Sequence, residues 1–311
     1  MSAADPPRFR ALTGCHEPSG IFQLADGRFI VVEDEERCPL SLLHFADSGP
    51  VGCTPLRLPA TPHDDDHDDH WRLDDLEAVT GDHAGYVYAV TSHSRNKAGD
   101  ERPEREKLLR FRVAGGDMVE ARMVVDLKRA LIAAHPLLAE AAGIRQVKKD
   151  GGLNIEGLAM RADRRALMLG FRSPLLDGRA IIACIDNPDA MFDSGQAPRI
   201  ASELLSLDLQ GHGIRAVSHV PLLDGYLVVA GPVGRERTQF ALWFWRGGQH
   251  DLPRRVSVRG LPGFEHAEGV GSALIGGRQW VIVVSDDGSR SEGRFASYLL
   301  LDPRQLQIGP D

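Results

Sequence analysis

The sequence lacks any long apolar run. Its first twelve residues, MSAADPPRFRAL, hold no apolar stretch that could form the core of a signal peptide. No segment approaches the roughly 18 consecutive apolar residues that a membrane-spanning helix needs. Cysteine is scarce as well, and its four positions (15, 38, 53 and 184) show no Cys-x-x-Cys spacing. We therefore expect a cytoplasmic protein whose cysteines are reduced thiols.

An excess of basic residues is also absent. The formal net charge is −8 and no basic cluster stands out, which argues against nucleic acid or an anionic membrane as the main partner. A small ligand, a cation or another protein stays open as a partner. The G-x-S-x-G elbow, the Walker loop, the G-x-G-x-x-G turn and the H-E-x-x-H zinc motif are missing, so the reactions that use them are disfavoured.

What the sequence does contain is a fivefold repeat. In each unit a charged residue, usually Glu, precedes a small residue and an apolar one, and a turn and a strongly apolar strand follow. The five starts read HEPSGIFQL (16–24), DLEAVTG (75–81), NIEGLAM (154–160), HGIRAVS (212–218) and HAEGVGS (266–272). Most units hold two further strand candidates. A recurring four-stranded unit of this length predicts an all-β protein of the β-propeller class.

The repeat predicts a single domain over residues 1–311. Its five four-stranded blades would lie at about 15–60, 75–127, 153–209, 212–260 and 265–311, with six blades as the alternative count. The fifth unit lacks an outermost strand, so we expect the alternating segment RFRALTG (8–14) to complete that blade and close the ring. A β-sandwich also has short strands, but it does not explain a repeated Glu-Gly-apolar start.

One segment interrupts the repeat with a different periodicity. LKRALIAAHPLLAEAAG (127–143) places its leucines, isoleucine and alanines at helical spacing. It lies between the second and third units, where the interval between repeat starts is longest. The spacing predicts a helix inserted between two blades.

The repeat gathers charged residues at one mouth of the channel, because the first strand of each propeller blade lines that channel. They are Glu17, Glu77, Glu156, Arg215 and Glu268. The four carboxylates would repel one another, and a divalent cation, the guanidinium of Arg215, water, backbone N–H groups or protonation could offset the repulsion. A structural role is equally open, in which each Glu joins neighbouring blades through hydrogen bonds.

Two polar segments are expected at the same mouth. The run HDDDHDDH (63–70) could present three imidazoles to a metal if it were helical, although such a charge run is more often a solvated loop. The loop HSRNKAGDERPEREK (93–107) supplies His93 and Arg95, and the second strand of the third unit ends with Arg172. The guanidinium group of an arginine can donate two parallel hydrogen bonds to an anionic group.

Several of these strings resemble a known family. DLEAVTGD, YVYAVTSHSRN, NIEGLAM and LMLGFRSP are similar to an uncharacterised bacterial family known only as a domain of unknown function, which is itself similar to the phytase-like and esterase-like propellers. The resemblance covers nearly the whole chain. It implies a propeller and metal-assisted hydrolysis of a phosphate or an ester. Arg215 departs from the pattern, which has Glu at that place.

These observations predict a hydrolase, metal-assisted on a phosphoester or an ester, with its site at the channel mouth. The predicted catalytic residues are Glu156, Glu268 and His93. The predicted anion-binding residues are Arg95, Arg172 and Arg215. The predicted ligands of a divalent cation, calcium or magnesium, are Glu17, Glu77, Glu156 and Glu268. The alternatives are a non-catalytic propeller that binds a small anionic ligand or a protein, and one in which the charges only join blades.

Overall fold

The computed structural model describes residues 7–34, 39–46, 49–59, 71–234, 239–264 and 266–310. Its strands form five antiparallel sheets arranged around a central channel. The innermost strand of each sheet contacts the innermost strands of both neighbouring sheets, so the ring is closed. The protein is therefore a five-bladed β-propeller, and the predicted fold class and blade number are confirmed.

Within each blade the strands run outward from the channel in sequence order, except that strand β1 (Arg10–Ala11) belongs to the last blade. Blade one comprises β2 (Pro18–Gln23), β3 (Phe29–Glu33), β4 (Leu40–Ala46) and β5 (Gly49–Pro55). Blade two comprises β6 (Leu76–Gly81), β7 (Val87–Thr91), β8 (Leu108–Ala114) and β9 (Asp117–Val124). Blade three comprises β10 (Asn154–Met160), β11 (Leu167–Ser173), β12 (Ala180–Ile185) and β13 (Leu205–Leu207).

Blades four and five share the two ends of the chain. Blade four comprises β14 (Gly213–Val220), β15 (Gly225–Gly231), β16 (Ala241–Trp245) and β17 (Arg254–Val258). Blade five comprises β18 (Ala267–Ile275), β19 (Arg278–Ser285), β20 (Ser297–Leu301) and then β1. Arg10 pairs with Tyr298, so closure by the N-terminal strand is confirmed. A last strand, β21 (Leu306–Ile308), extends the outer edge of blade four through pairing with β17 and was not predicted.

The predicted helical insertion is present, but it is broken. Helix α1 (Leu127–Ala134) ends before Pro136, whose missing N–H cannot continue the helical ladder. Helix α2 (Pro136–Gly143) and the single turn α3 (Val147–Asp150) follow. The apolar faces of α1 and α2 join the core between blades two and three, so helical periodicity identified a real packing face.

The other helical pieces are short. Helix α4 (Pro188–Ser194) lies between β12 and β13, and three 3-10 turns cover Pro103–Arg105, Pro221–Leu223 and Pro303–Gln305. Among the residues that the structure describes, no helix has the length and apolar character needed to cross a membrane.

A β-bulge interrupts the pairing of the two innermost strands at the same place in every blade. In blade three, Ile155 pairs with Phe171 and Gly157 with Gly170, which leaves Glu156 unpaired. The five bulge residues are Ser19, Glu77, Glu156, Arg215 and Glu268. Blade one thus carries Ser19, and the prediction that Glu17 is the equivalent residue was wrong. Glu17 lies two residues earlier, because Pro18 pairs with Glu33 and Gly20 with Val32.

The small residue after each bulge has a steric reason. A Cβ on Gly157 would lie 3.0 Å from side-chain atoms of Ile214 and Val217 on the neighbouring blade. A Cβ on Gly269 would lie 3.2 Å from the Cα of Gly20. The Gly or Ala at this place lets adjacent innermost strands approach, which brings the bulge side chains of neighbouring blades together.

Candidate functional site at the channel mouth

Arg215 lies between glutamates of the two adjacent blades. Its Nε is 3.0 Å from Oε2 of Glu156 on blade three, and its Nη2 forms an ion pair with Oε1 of Glu268 on blade five. Its guanidinium also faces the ring of Phe240, 5.5 Å from the centroid. Burial lowers the pKa of Arg215, and the charge of Glu156 raises it. The bulge residues of blades three, four and five are thus joined by one cation.

Arg172 adds a second cation to this group. It is the next-to-last residue of β11 in blade three, and its Nη1 donates to Oε1 of Glu156 over 3.1 Å. Its other N–H groups donate to backbone carbonyls of the strand-end segment 232–234 in blade four, at 3.0 to 3.1 Å. Asn154 donates from Nδ2 to the same Glu156 oxygen over 2.8 Å. We call Glu156, Arg172, Arg215 and Glu268 the arginine–glutamate clamp.

The clamp is electrically balanced, with two guanidiniums and two carboxylates. All four side chains are at most 12% exposed. A buried charge is tolerated when it is paired and hydrogen-bonded. Both oxygens of Glu156 and Oε1 of Glu268 are therefore engaged by arginine.

Glu77 is the bulge residue that the clamp leaves out. It is 8% exposed, and within the described part of the chain no hydrogen bond or ion pair reaches its carboxyl group. Desolvation raises its pKa well above the usual 4.5, and the charges of Glu156, Asp75 and Asp34 raise it further, while Arg215 lowers it. Glu77 is thus a buried carboxyl with a high proton affinity at the mouth of the channel.

Asp75, two residues before Glu77, is by contrast well satisfied. Its Oδ2 accepts from the hydroxyls of Ser92 and Ser94 and from Nη1 of Arg105 at 2.9 Å. The left-handed backbone at Asp75, with φ of 61°, turns the chain into β6. Asp34 faces this group from blade one, and desolvation followed by the charge of Asp75 raises the pKa of Asp34 to about 8.

A further acidic group lies where blades five and one meet. Glu33 is buried and accepts from the backbone N–H groups of His16 at 2.7 Å and Glu17 at 3.2 Å. Desolvation and the charge of Glu17 raise the pKa of Asp286. Glu17 therefore stands near Asp286, whose pKa the charge of Arg215 in turn lowers.

The structure does not bring His93 and Arg95 to this cluster. His93 is completely buried, its Nδ1 lies 2.9 Å from the carbonyl oxygen of Thr91, and its Nε2 has no hydrogen-bond partner among the described residues. Burial lowers the pKa of His93 to about 4. Arg95 donates to the carbonyl oxygen of Ala142 in α2 and pairs with Glu101. Arg95 thus joins the loop that follows β7 to the helical insertion, whereas the only side-chain hydrogen bond of His93 among the described residues lies within blade two.

The four predicted metal ligands have different surroundings. Two belong to the clamp, Glu77 stands near Asp75, and Glu17 stands near Asp286. In the ranges that the structure describes, no three carboxylate, imidazole or thiol groups are arranged to hold a metal ion. The predicted His/Asp run at 63–70 lies outside those ranges.

Sequence reasoning missed Ser19 and Arg105. The signal for Ser19 was the small residue that follows each bulge, which aligns Gly20 with Gly157 and Gly269 and fixes the register better than the acidic residue does. Arg105 is remote in sequence from Asp75 and carried no local signal. Its reach depends on how the loop 93–107 folds back on blade two.

Comparison with solved structures finds similar chains at low sequence identity. The chain is similar to the allergen Mala s 1 of Malassezia sympodialis, with 10% identity, a TM-score of 0.51, and coverage of 93% of this chain and 92% of that one. It is also similar to a glucose dehydrogenase, with 12% identity, a TM-score of 0.46, and coverage of 95% and 99%. Identities this low show the fold alone.

A third similar structure is the propeller domain of Cps50 (Swd1) from Myceliophteria thermophila. The identity is 12%, the TM-score is 0.36, and the match covers 88% of this chain and only 65% of that one. No curated protein matches the sequence. A family of proteins of unknown function, DUF3616, matches residues 60–297, and the chain belongs to that family.

Proposed function

We propose that the protein is a hydrolase and that Glu77 is its acid–base group at the channel mouth. The observation that carries the proposal is the burial of Glu77, whose carboxyl group has no ion pair or hydrogen bond within the described part of the chain. A carboxyl whose pKa is raised toward the working pH can both accept and donate a proton. Perturbed carboxyls of this kind are concentrated at functional sites.

The chemistry follows from this proton affinity. The ionised Glu77 carboxylate takes a proton from a water molecule as the water oxygen attacks the carbonyl carbon of an ester. Glu77 then returns that proton to the leaving alcohol oxygen as the C–O bond breaks, so one water is consumed and an acid and an alcohol form. Nearby Glu156 and Asp75 maintain the high pKa of Glu77 by repulsion.

The distribution of charge at the channel mouth indicates which charge a substrate should carry. Both arginines of the clamp are already paired, which does not favour an anionic ligand on Arg172 or Arg215. The carboxyls of Glu77, Asp34 and Asp286 have raised pKa values through desolvation and through neighbouring negative charge. This surplus favours a neutral or cationic ester over a phosphoester.

A phosphoester would require a divalent cation beside Glu77. Oxygen ligands suit calcium or magnesium, and such a cation would offset the carboxylates and polarise the substrate. Glu77 is the one bulge carboxylate that the clamp leaves out. We propose no step through the cation, because no three donors are arranged around one point among the described residues.

Activity assays test the catalytic part. Hydrolysis of p-nitrophenyl acetate and p-nitrophenyl phosphate would be followed with EDTA, calcium or magnesium present. We expect the acetate to be cleaved by the wild type, and Glu77→Gln to reduce kcat by about 100-fold or more. Glu120→Gln is the matched control, because Glu120 lies exposed on the outermost strand of blade two. Equal turnover by Glu77→Gln and the wild type would contradict the assignment.

Thermal melting tests the cation separately. After chelation, calcium, magnesium, manganese and zinc would be added back singly to the wild type and to Glu77→Gln. A saturable rise in Tm that the variant loses supports a cation at Glu77, since a ligand that binds only the native state stabilises it. No rise with any ion rejects the cation and leaves the ester reaction as the proposal. A retained fold without turnover would favour a binding propeller.

A further inference from the structure

Two cysteines far apart in the sequence lie side by side where the ring closes. The Sγ atoms of Cys15 and Cys53 are 3.1 Å apart, and both residues are free thiols. Cys15 follows β1, the strand that completes blade five. Cys53 lies on β5, the outermost strand of blade one. The pair therefore spans the boundary between the last blade and the first.

The backbone fixes each thiol to a different blade. The carbonyl oxygen of Cys15 accepts from the N–H of Ala296, over 2.9 Å, just before β20 of blade five. Cys53 pairs with Leu43 inside blade one. A Cβ on Gly14, whose φ is 95°, would lie 2.6 Å from the Cβ of Cys53, so the glycine is what permits the close approach.

The two thiols are chemically unequal. Cys15 is completely buried, whereas Cys53 is half-buried and can be reached from solvent. The hydrogen bond between the two thiols, together with that between Cys53 and Ser41, lowers the pKa of Cys53. The same hydrogen bond and burial raise the pKa of Cys15. Cys53 is thus the thiolate that reacts first.

We propose that Cys15 and Cys53 form a reversible disulfide that locks the closure of the propeller ring. The oxidant is hydrogen peroxide. The Cys53 thiolate attacks one peroxide oxygen, the O–O bond breaks, and the products are a sulfenic acid and, after protonation, water. The Cys15 sulfur then attacks the sulfenic sulfur, the S–O bond breaks, and a second water leaves.

The step balances as an oxidation of two thiols by one peroxide. Both sulfurs are oxidised, both peroxide oxygens are reduced to water, and the two thiol protons enter those waters. A dithiol reductant reverses the reaction by thiol–disulfide exchange. The sulfurs need to approach by about 1 Å to reach bonding distance. The bond would tie the chain ahead of Ser19 to the outer edge of blade one.

The expected consequence is stabilisation. The disulfide would join residues 38 positions apart in the sequence, which restricts the unfolded chain. For a domain of this size we expect the Tm of the oxidised protein to rise by roughly 5 °C.

The test uses the reduced full-length protein treated with one equivalent of hydrogen peroxide. Intact mass, peptide mapping without reductant and melting temperature would be measured before and after treatment, and again after dithiothreitol. The variants are Cys53→Ser and Cys38→Ser, with Cys184→Ser as the matched control, because Cys184 lies within blade three. The peptide map of the wild type alone identifies which cysteines are linked, so the test does not depend on whether a variant folds.

We expect a loss of two hydrogens, a peptide linking positions 15 and 53, and a reversible rise in Tm. Cys38→Ser and Cys184→Ser should keep all three, and Cys53→Ser should lose them. A link through Cys38 or Cys184, a link between molecules, or oxidation of Cys53 to the sulfinic acid without a link would overturn the proposal. An intramolecular link that leaves Tm unchanged would overturn the locking role.

Discussion

The guanidinium of Arg215 lies against the carboxylate of Glu156 across the boundary between blades four and three, with Nε 3.0 Å from Oε2. The bulge position is occupied by one cation, three carboxylates and a serine around the ring. Because the cation can contact only the carboxylates of the adjacent blades, it pairs with Glu156 and Glu268. The carboxylate two blades away, Glu77, keeps the surplus charge. The sign change at one repeat therefore divides the ring into a side where opposite charges are paired and a side where a buried carboxyl has no ion pair among the described residues.

Arg215→Met should strongly destabilise the fold. The substitution leaves Glu156 with Arg172 as its one cation in the clamp, and it leaves Glu268 without its cation in a largely buried position. We expect the free energy of unfolding to fall by about 3–5 kcal/mol in urea denaturation at pH 7. Adding Glu156→Gln and Glu268→Gln should restore part of the loss, because the orphaned charges are then removed.

Arg57→Met is the matched control for this prediction. Arg57 pairs with Asp117 on the surface, and both side chains are about half exposed or more. Surface pairs contribute little, so the control should leave the denaturation midpoint unchanged. Equal losses in Arg215→Met and the control would contradict a buried clamp.

The repeat and its apolar strands predicted the blades, the closure by the N-terminal strand and the insertion. These features depend on local periodicity and on chain order, which the sequence carries directly. It did not predict which residue of blade one occupies the bulge, because HEPSG offers an acidic residue at Glu17 and only strand pairing distinguishes it from Ser19. The contact of Arg95 with the insertion depends on how a long loop folds back, which no local pattern encodes.

Glu77→Gln should stabilise the protein increasingly as the pH rises. The folded-state pKa of Glu77 is raised above 4.5 by desolvation and neighbouring charge. Between pH 4.5 and the folded-state pKa, the folded state therefore binds the proton more tightly than the unfolded state. The contribution of Glu77 to the free energy of unfolding is fully present below about pH 4.5, and it is lost as the pH rises through the folded-state pKa. The gap in unfolding free energy between variant and wild type should therefore widen from pH 4.5 upward.

The pH prediction is measured by denaturation at a series of pH values. Asp34 is more exposed than Glu77, so Glu77 is the better probe of buried charge. Glu120→Gln, on the exposed outer strand, should show no such widening. A gap that is constant with pH, or that narrows as pH rises, would mean that Glu77 is neutralised by a partner in solution.

Ser19→Glu should identify the true ring position of blade one. Ser19 is 3% exposed at the bulge. A carboxylate at this position would be buried beside the acidic residues of the mouth, without a cation placed to compensate its charge. We expect a loss of about 2 kcal/mol or more at pH 7, and a smaller loss at pH 5, where the new carboxyl can stay protonated. Glu17→Gln should change stability much less. The reverse order of effects would reinstate Glu17 as the ring residue.

Gly213→Ala should damage the fold and the clamp together. A Cβ at Gly213 would fall 2.0 Å from the carbonyl oxygen of Arg172, so backbone rather than a flexible side chain must move. We expect the free energy of unfolding to fall by about 3 kcal/mol or more, because the strand that carries Arg215 is displaced from the strand end that carries Arg172.

Gly143→Ala is the control, since nothing lies within 4 Å of its Cβ position at the end of α2. That change should be neutral or stabilising by about 0.5 kcal/mol. Denaturation of both variants distinguishes a steric requirement at Gly213 from a general cost of replacing glycine, and tolerance of Gly213→Ala would show that the two strand ends are farther apart than the contact implies.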